Sequence, residues 1–184
     1  ERKLDGDMLM ICDGDREVAV AGVMGGQNSE VTDDTTDVLI ESAWFDPASV
    51  RRTARALTLQ TDASYRFERG VDPNGSLTAA RRAADLMTEL AGGTVTEILD
   101  IHPRPHAPLS VDLRPSRVET ILGVAVPEKD IVDLLTRIGF GIEPVDGKLR
   151  CTVPSFRPDV EREIDLVEEV ARLFGFDKIP APKG

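Results

Sequence analysis

Aromatic residues make up only 4% of this 184-residue sequence, with one tryptophan and one tyrosine. The interior must therefore be built from Leu, Ile, Val and Ala, which suits small α+β or α/β modules better than an aromatic-rich sandwich. Long apolar runs are missing too: none approaches the ~20 residues that a membrane-spanning helix needs, and no charged-then-apolar leader opens the chain. A soluble protein with no membrane partner is expected. Cysteine is scarce, and Cys12 and Cys151 stand far apart without a metal spacing, so a reduced, cytoplasmic setting with no disulfide is the economical reading. Positive charge is also short: the net charge of −11 argues against broad nucleic-acid binding through phosphate neutralisation, and any RNA contact must be local.

What is present divides into two modules. With 41% apolar content the chain can bury one or two ordinary cores. Met8 to Cys12 and Glu17 to Ala21 read as a hairpin across Asp13-Gly14-Asp15, and Gly22, Gly25 and Gly26 follow as a turn or a place of close backbone approach. Val38 to Ile40 read as a buried strand that delivers Glu41 at its end. Asp46-Pro47 opens a helix whose Val50, Ala54 and Leu57 form an apolar stripe, with Arg51, Arg52 and Arg55 turned away as the best local basic patch. Asp72-Pro73 opens a second helix toward Ala91, stopped by Gly92-Gly93. Val95 to Ile101 read as a further strand. Residues 102–108, rich in proline, are the expected linker, and His102 and His106 are read as linker residues and not as a metal pair.

The second module, 109–184, begins with a strand at Leu109 to Leu113. Ser116 and Glu119 suggest a capping box for a short helix ending at Gly123, and Ile131, Leu134, Leu135 and Ile138 give the next helix, Pro127 to Gly139, one apolar face. Asp146-Gly147 is a favoured two-residue hairpin turn. Two helices, a hairpin and a final helix suggest a winged-helix-like arrangement. That last helix, about Arg162 to Phe174, places Asp165, Glu168, Glu169 and Arg172 at i, i+3, i+4 and i+7, with Asp159 just upstream. Two explanations stay open. The acidic stripe is balanced by Arg157, Arg162 and Arg172, or an all-oxygen set binds a hard cation such as magnesium or calcium.

The chain is organised around Gln60 to Pro73, QTDASYRFERGVDP, which read alone is a salt-bridged segment before a helix. Together with GVMGG at Gly22 to Gly26 and VLIESAWFDP at Val38 to Pro47, it resembles the beta subunit of bacterial phenylalanyl-tRNA synthetase, and the likeness continues through Leu109 to Pro180. The opening at Glu1 without an initiator methionine fits a piece of a longer polypeptide. The resemblance implies an aminoacyl-tRNA synthetase (ligase) in which residues 1–101 are the C-terminal part of an editing module that hydrolyses tyrosine wrongly attached to tRNA(Phe).

It implies further that Glu41 accepts the tyrosine hydroxyl, that Gly25 lets substrate approach the backbone, and that Thr61 and Ala63 shape the aromatic slot. A histidine and an arginine of the family pocket lie upstream of Glu1, so no catalytic residue is expected within this piece. Asp159, Asp165, Glu168 and Glu169 match carboxylates read in the family as magnesium ligands shared with the alpha subunit of an α2β2 heterotetramer, and the alpha subunit itself binds ATP. Little activity is expected of the piece alone. The competing expectation is a non-enzymatic winged-helix adapter for protein or nucleic acid, disfavoured for DNA by the acidic charge.

Overall fold

The computed structural model describes residues 1–103 and 105–180. The fold is α+β, with two small three-stranded sheets, and the chain divides into two compact units with the break after Pro103.

In the first unit, β1 (Met10–Cys12), β2 (Glu17–Val20) and β3 (Met24–Gly25) form an antiparallel sheet in that order. Asp13 makes the first turn: its Oδ1 accepts hydrogen bonds from the backbone N–H groups of Asp15 (3.0 Å) and Arg16 (3.1 Å). Helix α1 (Pro47–Leu57) starts as its sequence dictates, with Asp46 accepting from the Ser49 N–H at 2.6 Å and Pro47 in the first turn. It buries Val50, Thr53, Ala54 and Leu57. Val23, Val50 and Ala54 form a small core to which Phe45 and Phe67 add an edge-to-face pair with centroids 5.0 Å apart. Gly22 is required there: φ is +67°, and a Cβ would lie 2.9 Å from the Phe45 ring.

The sequence expectation is corrected at four places in this unit. Val38 to Ile40 form no strand and Leu39 is 96% exposed; among the described residues no strand lies alongside to take the backbone hydrogen bonds of this run. Val95 to Ile101 likewise remain irregular and exposed. A short helix, α2 (Asp62–Phe67), stands where a salt-bridged segment is expected, started by a reciprocal Thr61–Ser64 capping box. Finally, α3 (Ser76–Ala91) starts later than Asp72-Pro73, since Asp72 caps a separate turn by accepting from the Asn74 N–H at 2.9 Å. Its apolar face is only partly covered, with Met87 and Leu90 exposed.

The second unit has the larger core. β4 (Ser110–Leu113), α4 (Pro115–Leu122), α5 (Glu128–Arg137), β5 (Gly141–Val145), β6 (Lys148–Thr152) and α6 (Glu163–Phe174) follow one another, and the sheet order is β4-β6-β5, all antiparallel. Two helices then a hairpin is the order expected of a winged helix, and here a strand ahead of them closes the sheet on β6. Alternation sends Val111, Leu113, Leu149 and Cys151 inward, where they meet Val118, Ile131, Leu135, Leu166, Val167 and Val170. Burial pushes the Cys151 thiol up to about 11. Asp146 (φ 49°) and Gly147 (φ 74°) make the predicted turn. The Ser116–Glu119 capping box is absent: Arg114 is the N-cap of α4, and its own N–H donates to Glu163 Oε1 (2.9 Å) at the start of α6. No helix among the described residues is long and apolar enough to cross a membrane.

Candidate functional site

The first unit holds an open cavity of about 800 Å³ walled by the sheet, the 41–43 segment, α2 and the start of α3. Gly25, Glu41, Thr61 and Ala63, singled out in the sequence, all line it. The remaining wall is mostly small and apolar, including Val23, Ala43, Phe67, Val71 and Ala79.

Each of the four is placed by a specific local feature. Thr61 is fully engaged: its Oγ1 donates to the Val23 carbonyl (2.7 Å) and accepts from the Ser64 N–H (3.0 Å). It therefore fixes α2 against the sheet and shapes the cavity by position. Ala63, one residue into the helix, is exposed on the cavity wall. Gly25 has no left-handed backbone, and nothing lies within 4 Å of where its Cβ would stand, so the protein itself does not demand glycine there. Gly26 is the opposite case, since a Cβ would come within 2.6 Å of the Val18 carbonyl. The missing side chain at Gly25 leaves space in the cavity.

Glu41 is carried by an extended segment that Ser42 ties to α3 through a 2.8 Å hydrogen bond to the Ser76 carbonyl. Although the residue is exposed overall, desolvation by the surrounding protein raises its carboxyl pKa above the ordinary value. Among the described residues it has no ion-pair partner. An acceptor in this condition gains from a neutral donor such as a hydroxyl. Asp62 and Asp72 also line the cavity. The sequence marks Asp72 only as a helix cap, and no local signal tells that its turn borders a cavity.

The acidic set of the second unit is arranged differently from expectation. Arg157 donates to both oxygens of Asp159 (2.9 and 2.6 Å) and to Glu169 (3.0 Å), and Arg172 donates to Glu169 at 2.6 Å. These guanidinium groups hold both carboxyls below their ordinary pKa values. Asp165 accepts from the backbone N–H groups of Glu161 (3.1 Å) and Arg162 (2.8 Å), so it caps α6. Glu169 is buried, whereas Glu168 is exposed. Among the described residues no three His, Cys, Asp or Glu side chains are gathered to hold a metal ion. Of the two explanations open in the sequence, the observed contacts are those of arginine balance. With the oxygens of Asp159, Asp165 and Glu169 turned to arginines and backbone N–H groups, these residues could take a magnesium ion only by exchanging those contacts, while Glu168 has no ion-pair partner among the described residues.

Comparison with known proteins accounts for both units. Residues 1–92 match the B3/4 domain family and residues 111–176 the tRNA synthetase B5 domain family. The chain is 58% identical to the phenylalanine–tRNA ligase beta subunit of Salinibacter ruber over 100% of its own length, and 48% identical to that of Syntrophus aciditrophicus over 98%. It is 46% identical to the Thermotoga maritima protein of the same name over 97%. It spans only 22% to 23% of these relatives. A solved N-terminal fragment of the Pyrococcus horikoshii beta-subunit is a distant likeness, 21% identical over 41% of this chain and 22% of that one, with a TM-score of 0.37. A B3/4 domain followed by a B5 domain, at this identity along the whole sequence, means that the chain belongs to the phenylalanyl-tRNA synthetase beta-subunit family, whose named members are aminoacyl-tRNA ligases.

Proposed function

We propose that the cavity of the first unit receives the tyrosyl group of mischarged tyrosyl-tRNA(Phe) and contributes to its hydrolytic removal. The observation that carries this is the meeting of Glu41, Gly25, Thr61 and Ala63 around one cavity, from three different parts of the chain, with a carboxylate of raised pKa and no ion-pair partner among the described residues. Tyrosine and phenylalanine differ by one hydroxyl, and an apolar pocket rejects such an addition by only ~100-fold. A second pocket that requires the hydroxyl reverses the test. The phenol donates to the Glu41 carboxylate, while phenylalanine leaves that carboxylate desolvated and unpaired at a cost of about 1–3 kcal/mol. This chain's residues bind and orient; the group that activates water is supplied elsewhere in the parent protein.

Membership of the family supports a wider proposal. The parent is a cytoplasmic α2β2 enzyme that charges tRNA(Phe) using ATP bound by its alpha subunit. Magnesium is proposed only for the assembled enzyme, where Asp159, Asp165, Glu168 and Glu169 would hold it; magnesium supplies charge neutralisation there. The decisive experiment is Glu41→Ala in the full-length beta subunit with its alpha partner. Phenylalanine charging should continue while tyrosyl-tRNA(Phe) accumulates, and unchanged hydrolysis would remove Glu41 from the role.

A further inference from the structure

We propose that the α1–α2 corner of the first unit is a landing surface for single-stranded RNA, with Tyr65 and Arg69 as a stacking platform and Arg52 and Arg55 as phosphate contacts. This rests on the editing reading, because it supplies a path for the strand whose aminoacyl end enters the neighbouring cavity.

The charge distribution is the first observation. The chain carries a net −11, yet residues 51–69 hold five arginines against two carboxylates, Asp62 and Glu68. Because α1 buries Val50, Thr53, Ala54 and Leu57, it turns Arg51, Arg52 and Arg55 to its exposed side. Among the described residues Arg52, Arg55 and Arg66 belong to no ion pair. Like charges on one helix face repel, and a polyanion relieves that repulsion.

Shape is the second. Thr58, in a left-handed conformation at φ 54°, ends α1 and turns the chain so that α2 lies beside it. A second cavity, of about 640 Å³, opens between them, lined in part by Arg55, Gln60, Tyr65, Glu68 and Arg69. Tyr65 is 60% exposed, and the Arg69 guanidinium carbon lies 3.6 Å from its ring centroid. Arg69 is held there by donating to the Tyr65 carbonyl (2.6 Å) and to Glu68 Oε1 (2.8 Å), and Arg51 donates to the Glu68 carbonyl (2.8 Å). Glu68 is thus the one carboxylate on this wall, and its charge is matched by Arg69.

A preorganised aromatic–guanidinium pair beside unneutralised arginines suits a ligand that alternates phosphates with splayed bases, which is single-stranded nucleic acid. The two cavities lie on opposite sides of α2: Ala63 and Phe67 face the first, Tyr65 and Arg69 the second. One helix width, about 10 Å, therefore separates the amino-acid pocket from the strand.

The test is fluorescence anisotropy with the full-length beta chain and a 5′-labelled ten-nucleotide single-stranded RNA over a range of salt. Arg52→Glu with Arg55→Glu should weaken binding about tenfold or more and reduce the salt slope by about 1.4, two phosphates' worth. Among the described residues the side chains of these arginines make no hydrogen bond, so the fold should be kept, with the melting curve lowered only slightly by an acidic side chain in the last turn of α1. Tyr65→Ala should weaken binding by about tenfold with the slope kept, and Tyr65→Phe should bind like the parent. Glu41→Ala, which disables the pocket, should bind this RNA normally, so loss of the pocket reading and loss of this one are read separately. Unchanged affinity and slope in the Arg52/Arg55 and Tyr65→Ala variants, or equal affinity for a duplex of the same sequence, would overturn the proposal.

Discussion

Glu41 joins two properties that pull in opposite directions. Its carboxyl is desolvated, so its native pKa is raised above the reference 4.5, and ionisation costs the folded state. Its contribution to stability is complete below pH 4.5 and is lost as pH rises through the native value. Glu41→Gln should therefore stabilise the first unit slightly at pH 7, by no more than about 0.5 kcal/mol because the residue is partly solvent-screened. The gain should vanish below pH 4.5, as calorimetry at both pH values will show. Ala63 offers the complementary measurement. Since it lies exposed on the cavity wall, Ala63→Trp should change stability by under about 0.5 kcal/mol while filling the slot and stopping hydrolysis of tyrosyl-tRNA. A shift of 1–3 kcal/mol in the melt would instead mean that the ring has been forced into packed structure.

At the scale of elements, the ends of α6 and the chain entering it are held by charge. Glu163 at the start of α6 receives Arg114 from the start of α4, while Arg157 joins Asp159 to the buried Glu169. Like-charge repulsion along this helix, expected from the sequence, is offset within the chain by these arginines. Arg157→Met keeps the aliphatic stem and removes the charge, leaving Glu169 with Arg172 alone. The expected cost is about 2–3 kcal/mol in urea unfolding. A cost under 0.5 kcal/mol would show the pair to be solvated and dispensable. Helices α1, α5 and α6 were legible in the sequence because their apolar spacing and the Asp46-Pro47 start act within a few residues. Val38 to Ile40 and Val95 to Ile101 depart from their strand-like pattern for the converse reason: apolar β-branched runs become strands only when another strand takes their hydrogen bonds.

Across the whole molecule the two units differ in how much apolar surface they bury. The second has a continuous core from Val111 to Ala171, whereas the main cluster of the first is Val23, Val50 and Ala54 with partly buried neighbours. Native-state hydrogen exchange should therefore find its slowest amides in β4, β6 and α6, with α3 exchanging far faster despite its regular hydrogen bonds. Equal protection in α3 and α6 would contradict this ordering.

The sequence by itself determined the α+β class and the turns at Asp13 and Asp146-Gly147, because capping and turn chemistry are written in neighbouring residues; the order of its motifs carries the family resemblance, and that resemblance is what singles out Gly25, Glu41, Thr61 and Ala63. Tertiary structure alone decided how the charges are spent. Only folding brings Arg157 from outside α6 onto Glu169, sets Arg114 on Glu163, and leaves Glu41 desolvated and without an ion-pair partner among the described residues. Spacing along a helix lists which charges share a face, but electrostatic energy depends on distance and solvent exposure, and both are settled by residues remote in the chain.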